Sequence, residues 1–374
     1  MAHASIYCDY NAGAPVRAEA AVAMARAMAA GGNPSSVHAH GRRARKLIED
    51  AREQVAAAVA ALPENVVFTS GASEALHLAL TSAGAASLIV SVVEHDALYE
   101  HATRALGTQH IAPADTRGVV RLDALEALLA QAEKPALVAL QLANNETGVI
   151  QPVARAAALC RQYGALLLVD AAQALGRIGV SIADLDATYL VLSSHKLGGP
   201  AGAGALVLAP GAPFQSRRFG GGQERGRRPG TENVGAIAGF GVAAEMAVRD
   251  LDAEAARLAH MRGAFEAGLP EDAVIFGADA ERLPNTSNFA LPGLAAETAV
   301  IAMDMEGVSL SSGAACSSGK VRASRVLAAM GAAPELARAA LRVSFGHESK
   351  AGDVEETLRA LHRIAARRRQ GAAA

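Results

Sequence analysis

Cysteine is scarce in this chain of 374 residues, which carries Cys8, Cys160 and Cys316 scattered along its length. Neither a disulfide framework nor a Cys-x-x-Cys metal site can be built from sequence-adjacent pairs, so any cysteine chemistry is solitary. An excess of charge of one sign is also missing. Lys and Arg number 35 against 37 Asp and Glu, a formal net charge of −2 at pH 7, and bulk charge alone makes no polyanion binder. Apolar runs approaching the roughly 20 residues that span a bilayer are absent, because charge or glycine interrupts each one. A membrane-spanning helix is therefore not expected. Met1 to Gly13 show no basic stretch followed by an apolar one, so no secretory signal is read and the expected location is the cytoplasm. Lysine is the last scarcity, with Lys46, Lys134, Lys196, Lys320 and Lys350 standing among many arginines.

What is present is the composition of a folded protein, 51% hydrophobic and 19% charged, at a length that suits two or three domains or one large domain with an appendage. Apolar positions at helical spacing mark residues 16–30 and 42–62, separated by the loop signal Gly31-Gly32-Asn33-Pro34-Ser35-Ser36. Short apolar runs then alternate with helical stretches: Val66–Thr69, Leu88–Val92, Ala136–Leu142, Leu166–Val169, Tyr189–Leu192 and Ala205–Leu208. Continuous apolar strands between helices imply a mostly parallel sheet covered on both faces, an α/β domain reaching to about Gly230. Residues 215–231 are too rich in glycine and arginine to pack as a core element and read as a loop that grips an anion or another subunit. Helices are expected at 233–249 and 252–268. The tail then mixes strands (287–291, 308–311, 342–345) with helices (295–304, 321–330, 351–368) as a smaller α+β domain. The expected division is 14–250 for the large domain, with 1–13 and 251–374 forming the small one.

In open α/β sheets ligands bind at the carboxyl ends of the strands, and here those ends are polar. Ser70-Gly71-Ala72-Ser73-Glu74 leads into a helix whose first N–H groups can approach a phosphate, with a plain helix cap at Ser73 as the alternative. Next come Glu94-His95-Asp96, then Asn144-Asn145-Glu146-Thr147-Gly148, then Asp170 with Gln173. A carboxylate at the end of a buried strand is expensive to desolvate without a cationic or donor partner, which Asp170 must find or else serve as a helix cap. Ser193-Ser194-His195-Lys196-Leu197-Gly198-Gly199-Pro200 follows. A lysine at such a strand end, in a chain that prefers arginine, points to chemistry arginine cannot perform, namely amine nucleophilicity and Schiff-base formation. An amine nucleophile, a strand-end aspartate, a stacking ring at His95 and a phosphate-binding helix start are the parts of a pyridoxal phosphate site.

The order of these motifs resembles the cysteine desulfurase family (NifS/IscS-like), class V within the aspartate-aminotransferase fold of pyridoxal-phosphate enzymes. The resemblance runs from Tyr7-Cys8-Asp9-Tyr10-Asn11-Ala12 through Gly32-Asn33-Pro34-Ser35-Ser36, Thr69-Ser70-Gly71-Ala72-Ser73-Glu74, Glu94-His95, Asn144 to Gly148, Asp170-Ala171-Ala172-Gln173, Ser193 to Lys196, Arg228-Pro229-Gly230-Thr231, Ser311-Ser312-Gly313-Ala314-Ala315-Cys316 and Arg342 to Gly346. It implies that Lys196 is the Schiff-base lysine, that Asp170 pairs with the pyridinium nitrogen and that His95 stacks on the ring. Asn145 and Gln173 would hydrogen-bond the cofactor, Gln173 at its phenolic oxygen. Ala72, Ser73, Ser193 and His195 would hold the phosphate, joined by Thr231 from the partner subunit of a homodimer. Arg342 would clamp the substrate carboxylate, assisted by Asn33, and Cys316 would be the catalytic cysteine, with His95 the local base for its thiol.

Cys316 also sits in a Ser/Gly-rich stretch, where a thiol invites a functional reading, whereas Cys160 and Cys8 read as core. Ser73, Gly13-Ala14, Ser194 and Ala201 depart from the residues usual in the family. The expected reaction is conversion of L-cysteine to L-alanine with the sulfur carried as an enzyme persulfide for an acceptor such as an iron–sulfur scaffold, with no nucleic acid or membrane partner. The rivals are a class V aminotransferase or selenocysteine lyase, a non-catalytic scaffold of the same fold and, more remotely, a nucleotide-binding protein built on Gly220-Gly221-Gly222.

Overall fold

The computed structural model describes residues 5–104, 108–313 and 324–372. The chain opens with β1 (Ile6–Tyr7), α1 (Ala18–Ala30) and α2 (Ala39–Ala58). Strands and helices then alternate: β2 (Val66–Thr69), α3 (Ala72–Ser82), β3 (Ser87–Ser91), α4 (Asp96–Arg104), β4 (Thr108–Ala112), α5 (Leu122–Gln131), β5 (Ala136–Gln141), α6 (Val153–Tyr163) and β6 (Leu166–Asp170). After β7 (Tyr189–Ser193) and β8 (Gly204–Leu208) come the long helices α7 (Val234–Arg249) and α8 (Leu251–Ala267). The remainder is β9 (Val274–Ile275), β10 (Thr286–Ala290), α9 (Ala296–Met305), β11 (Val308–Ser309), β12 (Ser311–Ser312), α10 (Arg325–Ala329), α11 (Pro334–Arg338), β13 (Ala340–Ser344) and α12 (Ala351–Ala372).

Seven strands form the central sheet in the order β2-β8-β7-β6-β5-β3-β4. Pairings among β4, β3, β5, β6 and β7 are parallel, and β8 alone runs against its neighbours β7 and β2. Their apolar runs are continuous because both faces are covered, and alternate residues enter different cores. Val138 and Leu140 of β5 pack with α2, α5, α6 and α7, while Leu137 and Ala139 pack with α3 and α4. A second, four-stranded antiparallel sheet, β12-β13-β10-β9, lies over α8, α9 and α12. The N-terminal strand β1 pairs in parallel with β11.

Three expectations need correction. β4 reads as polar in sequence (Thr108-Gln109-His110) because it is a half-exposed edge strand, so no apolar run announces it. The strand expected over 308–311 is two strands serving different sheets, β11 beside β1 and β12 beside β13. The Gly/Arg-rich stretch 215–231 does contribute to the core, through Glu224. That carboxylate is buried against the Arg52 guanidinium in a two-pronged ion pair, both contacts 2.8 Å, and also accepts from the Phe68 N–H at 2.8 Å. Arg52, on the charged face of α2, is itself buried and stacks 4.9 Å from the Phe68 ring centroid. The pair holds Glu224 at a left-handed φ of 47°, where a non-glycine residue is strained.

Glu224→Ala is expected to leave the Arg52 guanidinium with the Glu49 carboxylate at 3.1 Å and the Val66 carbonyl, and to lower stability by about 3 kcal/mol. Urea denaturation checks this, and a loss under about 1 kcal/mol would show that the pair anchors nothing.

Candidate active site

The carboxyl ends of β2, β3, β5, β6 and β7 open into one cavity of about 510 Å³, closed by Asn11 and Ala12 from the N-terminal turn and by Arg342 from β13. Ten of the residues expected at the site line it: Ala72, Ser73, His95, Asn145, Asp170, Gln173, Ser193, His195, Lys196 and Arg342. Asn33 and Thr231 do not. Both are exposed, and Asn33 Oδ1 instead accepts from the Ser35 N–H at 2.9 Å. Cys316 lies outside the described residues. Cys8 and Cys160 are core residues as expected, and burial pushes each thiol up to about 12.

The cavity floor at one end is the N-terminus of α3. Gly71 takes the cap position and Ser73 is the second helical residue, so the reading of Ser73 as a cap does not hold. A methyl group on Gly204 of β8 would fall 2.6 Å from the Gly71 backbone; glycine there lets the loop lie flat on the sheet. The first-turn N–H groups have no intrahelical acceptors and carry the positive end of the helix dipole, which suits a phosphate. Glu74 lines the same rim, where burial is outweighed by the Arg228 guanidinium and the Ser70 N–H, which hold its carboxyl down at about 2.

Asp170 closes β6 with Oδ1 accepting from the Ala172 N–H at 2.9 Å. Burial raises its pKa, while the charges of His95 and Lys196 oppose that shift. Lys196 Nζ donates to the carbonyls of Asn11 (2.5 Å) and Ala12 (3.0 Å). Burial keeps the His95 ring below its usual pKa. Its Nδ1 accepts from the Ala97 N–H at 3.1 Å, so the neutral ring carries hydrogen on Nε2; accepting a proton at Nε2 requires the other tautomer. Arg342 is fully buried, with Nη2 on Asp9 Oδ1 at 2.6 Å and Nη1 on the Asn145 carbonyl at 3.0 Å. Its Nε is buried without a hydrogen-bond partner, a donor that an incoming carboxylate can use. Asp9 also accepts from Ser311 Oγ at 2.8 Å.

Sequence reasoning passed over four groups that shape this site. Asn11 bridges the N-terminal turn to both sheets. Arg177 stands behind Gln173. Glu94 is buried with neither carboxyl oxygen hydrogen-bonded, and burial, reinforced by the charge of Asp170, pushes its carboxyl well above the usual range. Glu146, one residue beyond Asn145, accepts from Ser324 Oγ at 2.5 Å; burial outweighs this contact and the nearby Arg342 and Arg325, raising it to about 7. Of the departures from the family pattern, Ser73 and Ala201 line the cavity, whereas Gly13 and Ser194 do not. Among the described residues no helix is long and apolar enough to cross a membrane, and no group of three His, Cys, Asp or Glu side chains is placed to hold a metal ion.

Residues 6–357 match the family described as Aminotransferase class-V, and the chain belongs to that family. The relatives that place it more finely are cysteine desulfurases. It is 36% identical over 372 residues to the cysteine desulfurase IscS of Dictyoglomus turgidum, covering 96% of this chain and 94% of that protein. With the cysteine desulfurase of Cereibacter sphaeroides the identity is 39% over 370 residues, covering 95% and 94%. Among solved structures, the NifS-like protein of Rickettsia africae has a TM-score of 0.90 at 32% identity, covering 96% of this chain and 99% of that one.

A carboxyl whose folded-state pKa is raised to about 7 contributes stability below its unfolded value, and this is lost as pH rises through about 7. Glu146→Gln keeps an acceptor for Ser324 and removes that loss. The variant is expected to gain on the parent by about 1.4 kcal/mol for each pH unit across this window. Denaturation at pH 5 and pH 8 checks it; an unchanged difference between the two proteins would refute it.

Proposed function

We propose that the chain is a pyridoxal-phosphate-dependent L-cysteine desulfurase: L-cysteine plus an enzyme thiol gives L-alanine plus an enzyme persulfide. The observation that carries this reading is Lys196 on the wall of the same cavity as the buried Asp170, between the α3 N-terminus and Arg342. The donor set fits the cofactor. Free first-turn N–H groups with Ser73, Ser193 and His195 suit its phosphate, and Asp170, a buried carboxyl at the end of β6 that lines the cavity, suits its ring nitrogen. Asn145 and Gln173 offer polar contacts at the ring edge, and His95 a ring face. When bound, pyridoxal phosphate supplies an electron sink for negative charge at the α-carbon of an amino acid.

The chain's own residues supply the rest. Asp170 holds the ring nitrogen protonated through a charge-assisted hydrogen bond. Lys196 Nζ, which lies against the Asn11 and Ala12 carbonyls, would bind the cofactor as a neutral amine and then move the proton at the substrate α-carbon. Arg342 takes the substrate carboxylate through its unpartnered Nε, oriented by Asp9. Cys316, as a thiolate, is the sulfur acceptor, and the bond it forms to sulfur replaces the carbon–sulfur bond of the substrate. His95 is the base for the thiol, taking its proton at Nε2 in the tautomer that carries hydrogen on Nδ1. Thr231, exposed in one chain, reaches the phosphate from the partner of a homodimer, and Asn33 assists at the substrate. The persulfide then passes to a sulfur-accepting protein such as an iron–sulfur scaffold, in the cytoplasm. A class V aminotransferase or selenocysteine lyase on the same site would make no use of Cys316.

Purified protein mixed with L-cysteine is expected to release alanine, and borohydride is expected to fix the cofactor on Lys196; fixation on another lysine would overturn the assignment. Cys316→Ser is expected to keep the cofactor's colour and its spectral response to cysteine while losing alanine and persulfide formation. Alanine release at the parent rate in that variant would move the chain to the transaminase or lyase reading.

A further inference from the structure

Arg177 is a buried cation without a carboxylate partner among the described residues; every acceptor it reaches is a neutral amide oxygen. Nη1 donates to the Gln173 side-chain Oε1 at 2.5 Å and to the Gln173 carbonyl at 2.6 Å. Nη2 donates to the carbonyls of Tyr10 at 3.1 Å and Lys196 at 3.4 Å. The Gln173 Nε2 in turn donates to the Asn11 carbonyl at 2.9 Å, an oxygen that also receives Lys196 Nζ. These contacts lock the amide twice over. A flipped Gln173 would set its NH₂ group against guanidinium donors and its oxygen against the Asn11 carbonyl, replacing two hydrogen bonds by two like-for-like clashes. The locked amide has one N–H left, on a residue that lines the cavity.

We propose that Arg177 is a positioning residue for the reaction, making Gln173 a donor toward the cavity and holding the oxygen that Gln173 meets there as an anion. The proposal rests on the reading of Gln173 at the phenolic oxygen of pyridoxal phosphate. A buried cation raises the cost of adding a proton nearby, so it favours the deprotonated oxygen. Burial, and then the charge of Arg342, lower the Arg177 guanidinium to about 9, which leaves it charged at neutral pH. The ionisable groups around it are Tyr10, Lys196 and Arg342, with Arg17, Glu254 and His347 across a small cavity behind it. On the substrate side Asp170, His95 and His195 face the same space.

The test is a pH titration of the visible absorbance of the protein loaded with pyridoxal phosphate, which reads proton binding at the cofactor independently of turnover. Arg177→Met is expected to raise the midpoint by about one pH unit or more, and Arg177→Lys, which keeps the charge, to restore it. Gln173→Glu serves as an independent variant. It pairs Arg177 with a carboxylate and removes the donor, and it is expected to raise the midpoint too. Midpoints unchanged in both Arg177→Met and Gln173→Glu would overturn the proposal while leaving the cofactor assignment standing. A parent protein that takes up no pyridoxal phosphate would overturn both.

Discussion

The site depends on one asparagine held between two sheets. The Asn11 N–H donates to Ser344 Oγ of β13, and its side-chain nitrogen reaches Thr286 Oγ1 of β10 and the Asn145 carbonyl beyond β5. Its Oδ1 accepts from Asn285, and its carbonyl accepts from Gln173 and Lys196 beyond β6 and β7. This buried residue ties the antiparallel sheet that carries Arg342 to the central sheet that carries Asp170 and Lys196, together with contacts around the β5 turn such as Asn288 Nδ2 on the Glu146 carbonyl at 3.1 Å and the Leu283 N–H on the Gly148 carbonyl at 2.8 Å. Arg342 and Lys196 both reach this turn region, Arg342 through Asp9 and the Asn145 carbonyl and Lys196 through the Asn11 and Ala12 carbonyls, so the turn helps set how far apart the two cationic side chains stand.

Around this knot the charges are sorted. Lys196, Arg177 and Arg342 bring three basic side chains to one region, with the carboxyls of Asp170 and Asp9 beside them. Glu94 and Glu146 are also buried nearby, yet the same burial holds them toward the protonated form. Desolvation raises the carboxyls of Asp170, Glu94 and Glu146 alike, and at Asp170 the charges of His95 and Lys196 oppose it.

The strand ends were legible in the sequence because parallel strands buried on both faces leave continuous apolar runs, and the polar residues that follow each run had nowhere to go but the sheet edge. Lys196 stood out by scarcity and Asp170 by the expense of burying it. What escaped the reading shares a cause. Asn11 and Glu224 act through contacts with residues more than a hundred positions away, Arg177 through the Tyr10 carbonyl as well as nearby Gln173, and a glycine- and arginine-rich stretch gives no hint that one of its carboxylates will be drawn into the core by Arg52. Edge strand β4 was missed for the converse reason, since a half-exposed strand has no need of an apolar run. Thr231 and Asn33, which only the resemblance suggested, stay away from the cavity of a single chain.

The depth of Cys8 and Cys160 has a practical side. Two thiols that are fully desolvated and pushed up to about 12 react slowly with alkylating reagents in the native state. The chain holds only one other cysteine, so mass labelling of the folded protein counts sulfur carried at Cys316 against a silent background. On the proposed reading the parent sequence would report its own persulfide stoichiometry, at most one labelled thiol per chain, without any cysteine having to be removed.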